Sequence, residues 1–183
     1  MDDIYRKALD ELHDVLVAVD KAQIATALDT IAGARRIALY GVGREGLQMK
    51  GFAMRLFHLG LDAHVVGDMT APHIGEGDLL IVSAGPGDFS TVSALIGVAR
   101  SAGAKSLCVT AEPEGAAPRV ADAKLVVPAQ TMARDTTAPS SVLPMGSLYE
   151  GALYVLFEML ILQLRERLAV DAGQMRSRHT NLE

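Results

Sequence analysis

Apolar residues recur at helical spacing through the first 32 positions, with Ile4, Ala8, Leu12 and Leu16 on one stripe and Ile24, Leu28 and Ile31 on another. The pattern then shortens. Arg35-Arg36 leads into Ile37-Ala38-Leu39-Tyr40, an unbroken apolar run closed by Gly41, which predicts a first strand. Residues 44–59 return to the helical period through Leu47, Phe52, Met54 and Leu56. Further strands are predicted at 63–66, 78–83, 106–110 and 124–127, with a helix over 89–102. A segment carrying Pro113 and Pro118 suits one or two helical turns. Residues 128–145 are polar and proline-interrupted, a connection long enough to favour a functional role. A long helix follows from 147 to about 168, then a shorter one around 171–178.

Short strands alternating with longer helices predict an α/β fold whose parallel sheet is covered on both faces. No repeat, low-complexity tract or composition break divides the chain, so residues 1–183 read as one domain. Within it, 1–32 form an N-terminal helical arm and 146–183 the C-terminal helices. Ligands in such folds lie off the carboxyl ends of the strands. That directs the search to residues 41–46, 67–73, 84–91, 110–114 and 129–150.

Composition narrows the partners. With 50% apolar and 21% charged residues and a mean hydropathy of +0.24, the chain is no disordered tail. A net charge of −5, 4% aromatics and no Trp argue against a nucleic-acid partner. The only cysteine, Cys108, forbids an internal disulfide, and no zinc-ligand spacing occurs, which suggests a reducing, cytoplasmic setting. The acidic Met1-Asp2-Asp3 start is unlike a secretory leader. The most apolar stretch, 151–164, is interrupted by Glu158 and Gln163; it reads as a buried helix, not a membrane span. So apolar a surface, with few aromatics to cover, favours a homo-oligomer over a monomer.

Gly41-Val42-Gly43-Arg44-Glu45-Gly46 fits G-x-G-x-x-G between a strand and a helix. Three readings stand: a plain tight turn, a dinucleotide site with Asp68 as ribose ligand, or a cradle for another small anionic or polar ligand. Ala84-Gly85-Pro86-Gly87-Asp88 is a second glycine turn in the same setting, although Pro86 removes a donor. Glu150 follows Ser147 at capping-box spacing, which explains it structurally, while a general base explains it chemically. His179 has a bland reading as a solvated tail residue. Arg55 is one charge on an apolar helix and needs a partner such as Asp62, Asp68 or a ligand anion. Cys108, in an apolar strand, reads as inert core.

Taken together these residues resemble the sugar isomerase (SIS) domain family, specifically its 6-phospho-3-hexuloisomerase branch. The matching stretches are Gly41-Val42-Gly43-Arg44, Phe52-Ala53-Met54-Arg55-Leu56 with His58-Leu59-Gly60, and Val66-Gly67 with Thr70 and Pro72. Gly77-Asp78-Leu79-Leu80-Ile81, Pro144-Met145-Gly146-Ser147 through Glu150, and Arg178-His179 with Asn181-Leu182 complete them, in order over nearly the whole chain. The resemblance implies a three-layer αβα, flavodoxin-like or Rossmann-like domain with a five-stranded parallel sheet. It implies a metal-independent intramolecular oxidoreductase without cofactor, interconverting a 3-hexulose 6-phosphate and fructose 6-phosphate through a cis-enediolate. It also implies Glu150 as the proton shuttle, His179 arriving from a neighbouring subunit, and a homotetramer or homodimer with shared sites. Gly43, Arg44, Glu45, Gly85, Gly87, Asp88 and Ser147 are then the expected substrate contacts.

The departures from the family pattern fall at its phosphate ligands. The family has Ser where this chain has Glu45, and Ser-Gly-Ser-Gly-x-Thr where it has Ala84-Gly85-Pro86-Gly87-Asp88-Phe89. Hydroxyls are therefore missing at 45, 84, 86 and 89, and Glu45 and Asp88 bring carboxylates instead. A phosphate beside one carboxylate at ~4 Å meets roughly 4 kcal/mol of repulsion per charge pair at an effective dielectric near 20. The expectation is an isomerase with changed substrate recognition; the alternative is a non-catalytic sugar-binding or regulatory protein of the same fold. A dinucleotide-dependent enzyme is the third reading, resting on the glycine motif alone.

Overall fold

The structure is a computed structural model and describes residues 2–136 and 140–182. Its elements run α1 (Asp2–Val17), α2 (Lys21–Ala32), β1 (Ile37–Gly41), α3 (Gly43–His58), β2 (Ala63–Val65), β3 (Leu79–Ser83) and α4 (Ser90–Ser101). They continue through β4 (Lys105–Thr110), α5 (Ala116–Val120), β5 (Ala123–Val126), α6 (Ser147–Arg167) and α7 (Ala172–Ser177). Every strand expected from the pattern is present, displaced by a residue at most. β3 opens at Leu79 because the buried Asp78 is drawn off to cap its own turn, accepting from Gly75 N–H at 2.8 Å and from Arg35 Nε and Nη2 at 2.9 Å each.

All pairings in the five-stranded sheet are parallel, in the order β2-β1-β3-β4-β5. The strands read as continuous apolar runs because alternate residues go to two covered faces. Ile37, Leu39, Leu79, Ile81, Leu107 and Val109 meet Leu28, Ile31, Met49, Phe52 and Leu56 beneath α2, α3 and α6. Ala38, Leu80, Val82 and Cys108 meet Val92, Ile96 and Ala99 beneath α4 and α5. Cys108 thus lies sealed in the inner strand β4, and burial pushes its thiol up to about 12.

α6 is the apolar helix expected after the long connection. Its 21 residues are long and apolar enough to cross a membrane by length and composition, yet nine of them are buried inside the protein. Phe157 stacks on Phe52 of α3, with ring centroids 4.4 Å apart and planes 9° from parallel. Beside the stack, Arg55 Nε and Nη2 donate to the two oxygens of Glu158 at 3.0 and 3.1 Å. The partner of Arg55 is therefore Glu158, neither Asp62 nor Asp68; Asp62 is engaged by Arg36 and His64 at 2.7 Å each.

β1 leads outward to β2 and the chain then returns to the other side of β1 as β3. The strand order reverses between β1 and β3, so the turns after these two strands splay apart and leave a crevice at their carboxyl ends. Gly41 and Gly46 make the first turn tight: a Cβ on Gly46 would stand 2.5 Å from the Gly41 carbonyl oxygen. Gly43 adopts φ +58°, turning the chain into α3.

Candidate active site

A cavity of about 410 Å³ occupies that crevice. Its walls are the α3 start (Val42 to Glu45), Pro86 and Phe89 after β3, the 131–133 segment after β5, and Gly146, Tyr149 and Glu150 at the α6 start. A larger hollow of about 660 Å³ lies at the opposite, amino-terminal end of the strands, by Asp29, Glu76 and Asp78. Two of its three acids are already paired there: Asp78 with Arg35, and Asp29 with Arg167. The crevice cavity is where the candidate chemistry converges.

Glu150 stands in the first turn of α6 with its side chain 14% exposed, and its Oε2 lies 2.7 Å from Arg44 Nη2. Burial raises its pKa, and the Arg44 guanidinium pulls back part of that rise. The capping-box explanation fails. The N-cap is Gly146, no side chain caps this helix, and the Glu150 N–H bonds the Gly146 carbonyl. Ser147 Oγ instead accepts from Arg44 Nη1 at 3.2 Å. Ser147 faces an adjoining, more open hollow of about 490 Å³ that it shares with Arg44, Leu47, Glu150 and Tyr154. The Arg44–Glu150 pair is the partition between the two.

Glu45 is buried against the floor of the cavity. Its Oε2 accepts from Ser83 Oγ at 2.6 Å and from the Gly85 N–H at 3.0 Å. Desolvation raises its pKa, the two hydrogen bonds oppose the rise, and the charge of Glu150 adds to it. Tyr149, fully enclosed, sets its hydroxyl 3.2 Å from the same Ser83 Oγ. Burial raises the phenol far above its ordinary range.

Of the expected substrate contacts, Gly43, Arg44 and Glu45 therefore share a cavity with Glu150, and Ser147 braces Arg44 from the other side. Gly85, Gly87 and Asp88 are drawn into the protein's own contacts. The Gly85 N–H is taken by Glu45, and a Cβ there would meet the Tyr149 ring at 2.8 Å. Gly87, at φ +89°, lies so close to Gly115 that a Cβ on Gly115 would be 2.3 Å from its carbonyl oxygen. Asp88 is exposed and accepts from Ser93 Oγ at 2.7 Å. The dinucleotide reading loses its ribose ligand as well, since Asp68 is not among the residues around the crevice.

His179 lies at the other end of the molecule, beyond α7, its ring 5.1 Å from that of His58 at the end of α3. Arg44 and His58 are separated by roughly 20 Å along α3 at ~1.5 Å per residue, so one chain does not bring Glu150 and His179 together. Among the described residues, no group of three or more His, Cys, Asp or Glu side chains is placed to hold a metal ion.

Two neighbours gave little warning in the sequence. Gln130 clasps both ends of the 128–145 connection, donating from Nε2 to the Met145 carbonyl at 3.1 Å and accepting at Oε1 from the Ser140 and Ser141 N–H groups at 2.7 and 3.2 Å. Glu11 of α1 holds the same segment through Ser141 Oγ and the Val142 N–H. Met145 takes φ +55°, a conformation costing about 1–2 kcal/mol for a residue with a Cβ, just before Gly146. The length of the connection signals function; only the structure shows that Thr131 lines the cavity.

The fold and the crevice define a sugar isomerase domain: the SIS domain family matches residues 30–153, and the chain belongs to it. Within that family it is 33% identical over 175 residues to the 3-hexulose-6-phosphate isomerase of Bacillus subtilis, covering 96% of this chain and 95% of that one. To the 3-hexulose-6-phosphate isomerase of Mycobacterium gastri it is 37% identical over 174 residues, covering 95% and 87%. A solved structure of a hypothetical protein from Methanococcus jannaschii, described as inferring a molecular function of 3-hexulose-6-phosphate isomerase, superposes over 100% of both chains. The TM-score is 0.86 at 26% identity.

Proposed function

We propose that the protein is a sugar-phosphate isomerase acting on a ketohexose 6-phosphate, with Glu150 as the proton-transfer group. The observation that carries this is the Glu150 carboxylate itself, mostly withdrawn from water, raised in pKa and aimed by Arg44 beside a 410 Å³ cavity. The names of the relatives in Bacillus subtilis and Mycobacterium gastri support the substrate class.

In the proposed reaction Glu150 takes the proton from C2 of the 3-hexulose phosphate. The C–H electron pair becomes the C2=C3 double bond of a cis-enediolate, and the C3 oxygen gains a proton. Collapse to the C2 carbonyl releases the C2 hydroxyl proton and returns the Glu150 proton to C3. Acid–base groups suffice, so the reaction draws on no metal or cofactor. His179 serves as the oxygen acid from a second copy of the chain. The hollow beside Glu150, with Leu47 and Tyr154 more than half exposed, supports a shared site because a second copy would cover it. The whole chain works as one domain, in a cytoplasmic homotetramer or homodimer.

Substrate recognition differs from the family pattern at the phosphate end. Glu45 supports this, since its carboxylate holds the Gly85 N–H that a ligand anion would otherwise receive. The same observation favours the second reading, a sugar-binding protein without turnover. Proton-exchange NMR in deuterated water separates the two. Deuterium entering C3 of fructose 6-phosphate is the expected result, and saturable binding without exchange would select the second reading.

A further inference from the structure

Thr131 is 3% exposed, and its hydroxyl is the one buried side-chain polar atom left without a hydrogen-bond partner among the described residues. An unpaired buried hydroxyl is less favourable than either a bonded one or a methyl of the same shape. Packing gives no reason for a threonine there in place of a valine. Thr131 also lines the cavity that holds Glu150, where an arriving ligand is the available partner.

Its position is not left to chance. The adjacent Gln130 fastens the connection to Met145, Ser140 and Ser141, and the Thr131 carbonyl accepts from the Arg134 N–H at 3.1 Å. A Cβ on Gly146 would stand 3.7 Å from the Met132 nitrogen and 3.4 Å from Glu150 Oε1, so the 131–132 segment and the base flank one glycine. Across the cavity is the N-terminal turn of α3, a 16-residue helix whose first N–H groups have no intrahelical acceptor. The competing donor, the Gly85 N–H, is occupied by Glu45. A ligand's oxygens are left with the α3 turn, Arg44 and the 131–133 segment.

We propose that Thr131 is a substrate ligand, its hydroxyl turning about χ1 to donate to an oxygen of the sugar phosphate held between the 131–133 segment and the first turn of α3. This rests on the reading of the cavity as a sugar-phosphate site and adds a contact to it.

The test compares the full-length wild type, Thr131→Val and Thr131→Ser. Affinity is measured calorimetrically for fructose 6-phosphate, fructose and inorganic phosphate, alongside isomerisation kinetics and melting without ligand. The expected result is a roughly 2–12-fold loss of fructose 6-phosphate affinity in Thr131→Val, the scale of one neutral hydrogen bond, with a matching rise in KM. The unliganded melting temperature should hold or rise, and Thr131→Ser should bind like the wild type. Fructose and inorganic phosphate then tell which end of the ligand the hydroxyl meets. Unchanged affinity in Thr131→Val would overturn the proposal, as would a melting loss in Thr131→Val that Thr131→Ser reverses. If the wild type binds fructose 6-phosphate without isomerising it and Thr131→Val weakens that binding, the enzyme reading falls and the Thr131 contact stands. If the wild type neither binds nor isomerises it, both fall.

Discussion

The Gly85 N–H donates to Glu45 Oε2 across 3.0 Å, so the turn that leaves β3 meets a carboxylate of its own chain where it could have met a ligand. Ser83 Oγ donates to the same oxygen. An internal carboxylate is thereby built into the crevice, near enough to Glu150 for the two charges to oppose each other, while the Arg44 guanidinium pairs with Glu150.

That buried charge has a cost to folding. The folded-state pKa of Glu45 is raised above its unfolded value by burial. Between the two values the folded chain binds more protons than the unfolded one, so stability falls as pH rises through that window and stays lower above it. Glu45→Gln keeps an acceptor for Ser83 and Gly85 without the charge. Its melting temperature should exceed that of the wild type at neutral pH, with the gap closing as pH drops through the carboxylate range. A gap independent of pH would show that the charge is not its cause.

Replacing Glu45 with Ser should change selectivity. The Gly85 N–H is released and one negative charge leaves the cavity, so affinity for fructose 6-phosphate should rise relative to fructose. The ratio of the two dissociation constants measures it, and an unchanged ratio would separate Glu45 from phosphate recognition.

In the proposed reaction Arg44 tunes the base. Glu150 must be ionised to accept a proton, and Arg44 lowers its pKa both as a charge and as a donor. In Arg44→Met the acidic limb of the pH–kcat profile should therefore move to higher pH. Glu150→Gln should cost about 10²–10⁴ in kcat at every pH, the usual worth of a positioned general base.

A site shared between subunits should show complementation. Glu150→Gln and His179→Ala homo-oligomers should each be poorly active. After mixing and subunit exchange, a His179→Ala subunit keeps Glu150 and can receive His179 from its neighbour, so activity should return. No recovery in verified mixed oligomers would place His179 outside the reaction.

The Phe52–Phe157 stack anchors α6 on α3 and with it the position of Glu150. Phe157→Ala should destabilise the chain by about 3–5 kcal/mol in chemical denaturation, mostly through the cavity it leaves. Arg55→Met should cost far less, because the Arg55–Glu158 pair is about a third exposed on each side.

The sheet was legible because strands covered on both faces cannot hide their apolar runs, and residues 37–41 and 79–83 announce themselves at a glance. The ends of α3, α4, α6 and α7 were legible to within a residue, but the break between α1 and α2, where Asp20 caps the second helix, leaves no interruption in the apolar period. The site was legible in parts. Glu150 stands out on family resemblance, but Ser147-x-x-Glu150 also spells a helix cap, and only the Arg44 guanidinium resolves the ambiguity. Glu45 reads as a substrate contact at a helix start; its burial depends on Ser83, 38 residues away, and on Tyr149 farther still. Such long-range polar contacts leave no period in the chain. Thr131 is quieter again, since an unsatisfied hydroxyl is defined by what fails to surround it.

Cys108 has a practical consequence. As the sole thiol, sealed in an inner strand and held protonated to about pH 12, it is masked from alkylating reagents while the sheet is intact. The rate at which a maleimide or disulfide reagent labels the native protein is then a clock for opening of the β3–β4–β5 side of the sheet. That clock needs no engineered probe and no knowledge of the substrate. A ligand that binds the crevice and is lost on that opening should slow it by the factor 1 + [L]/Kd, which turns one inert sulfur into a reporter for screening sugars.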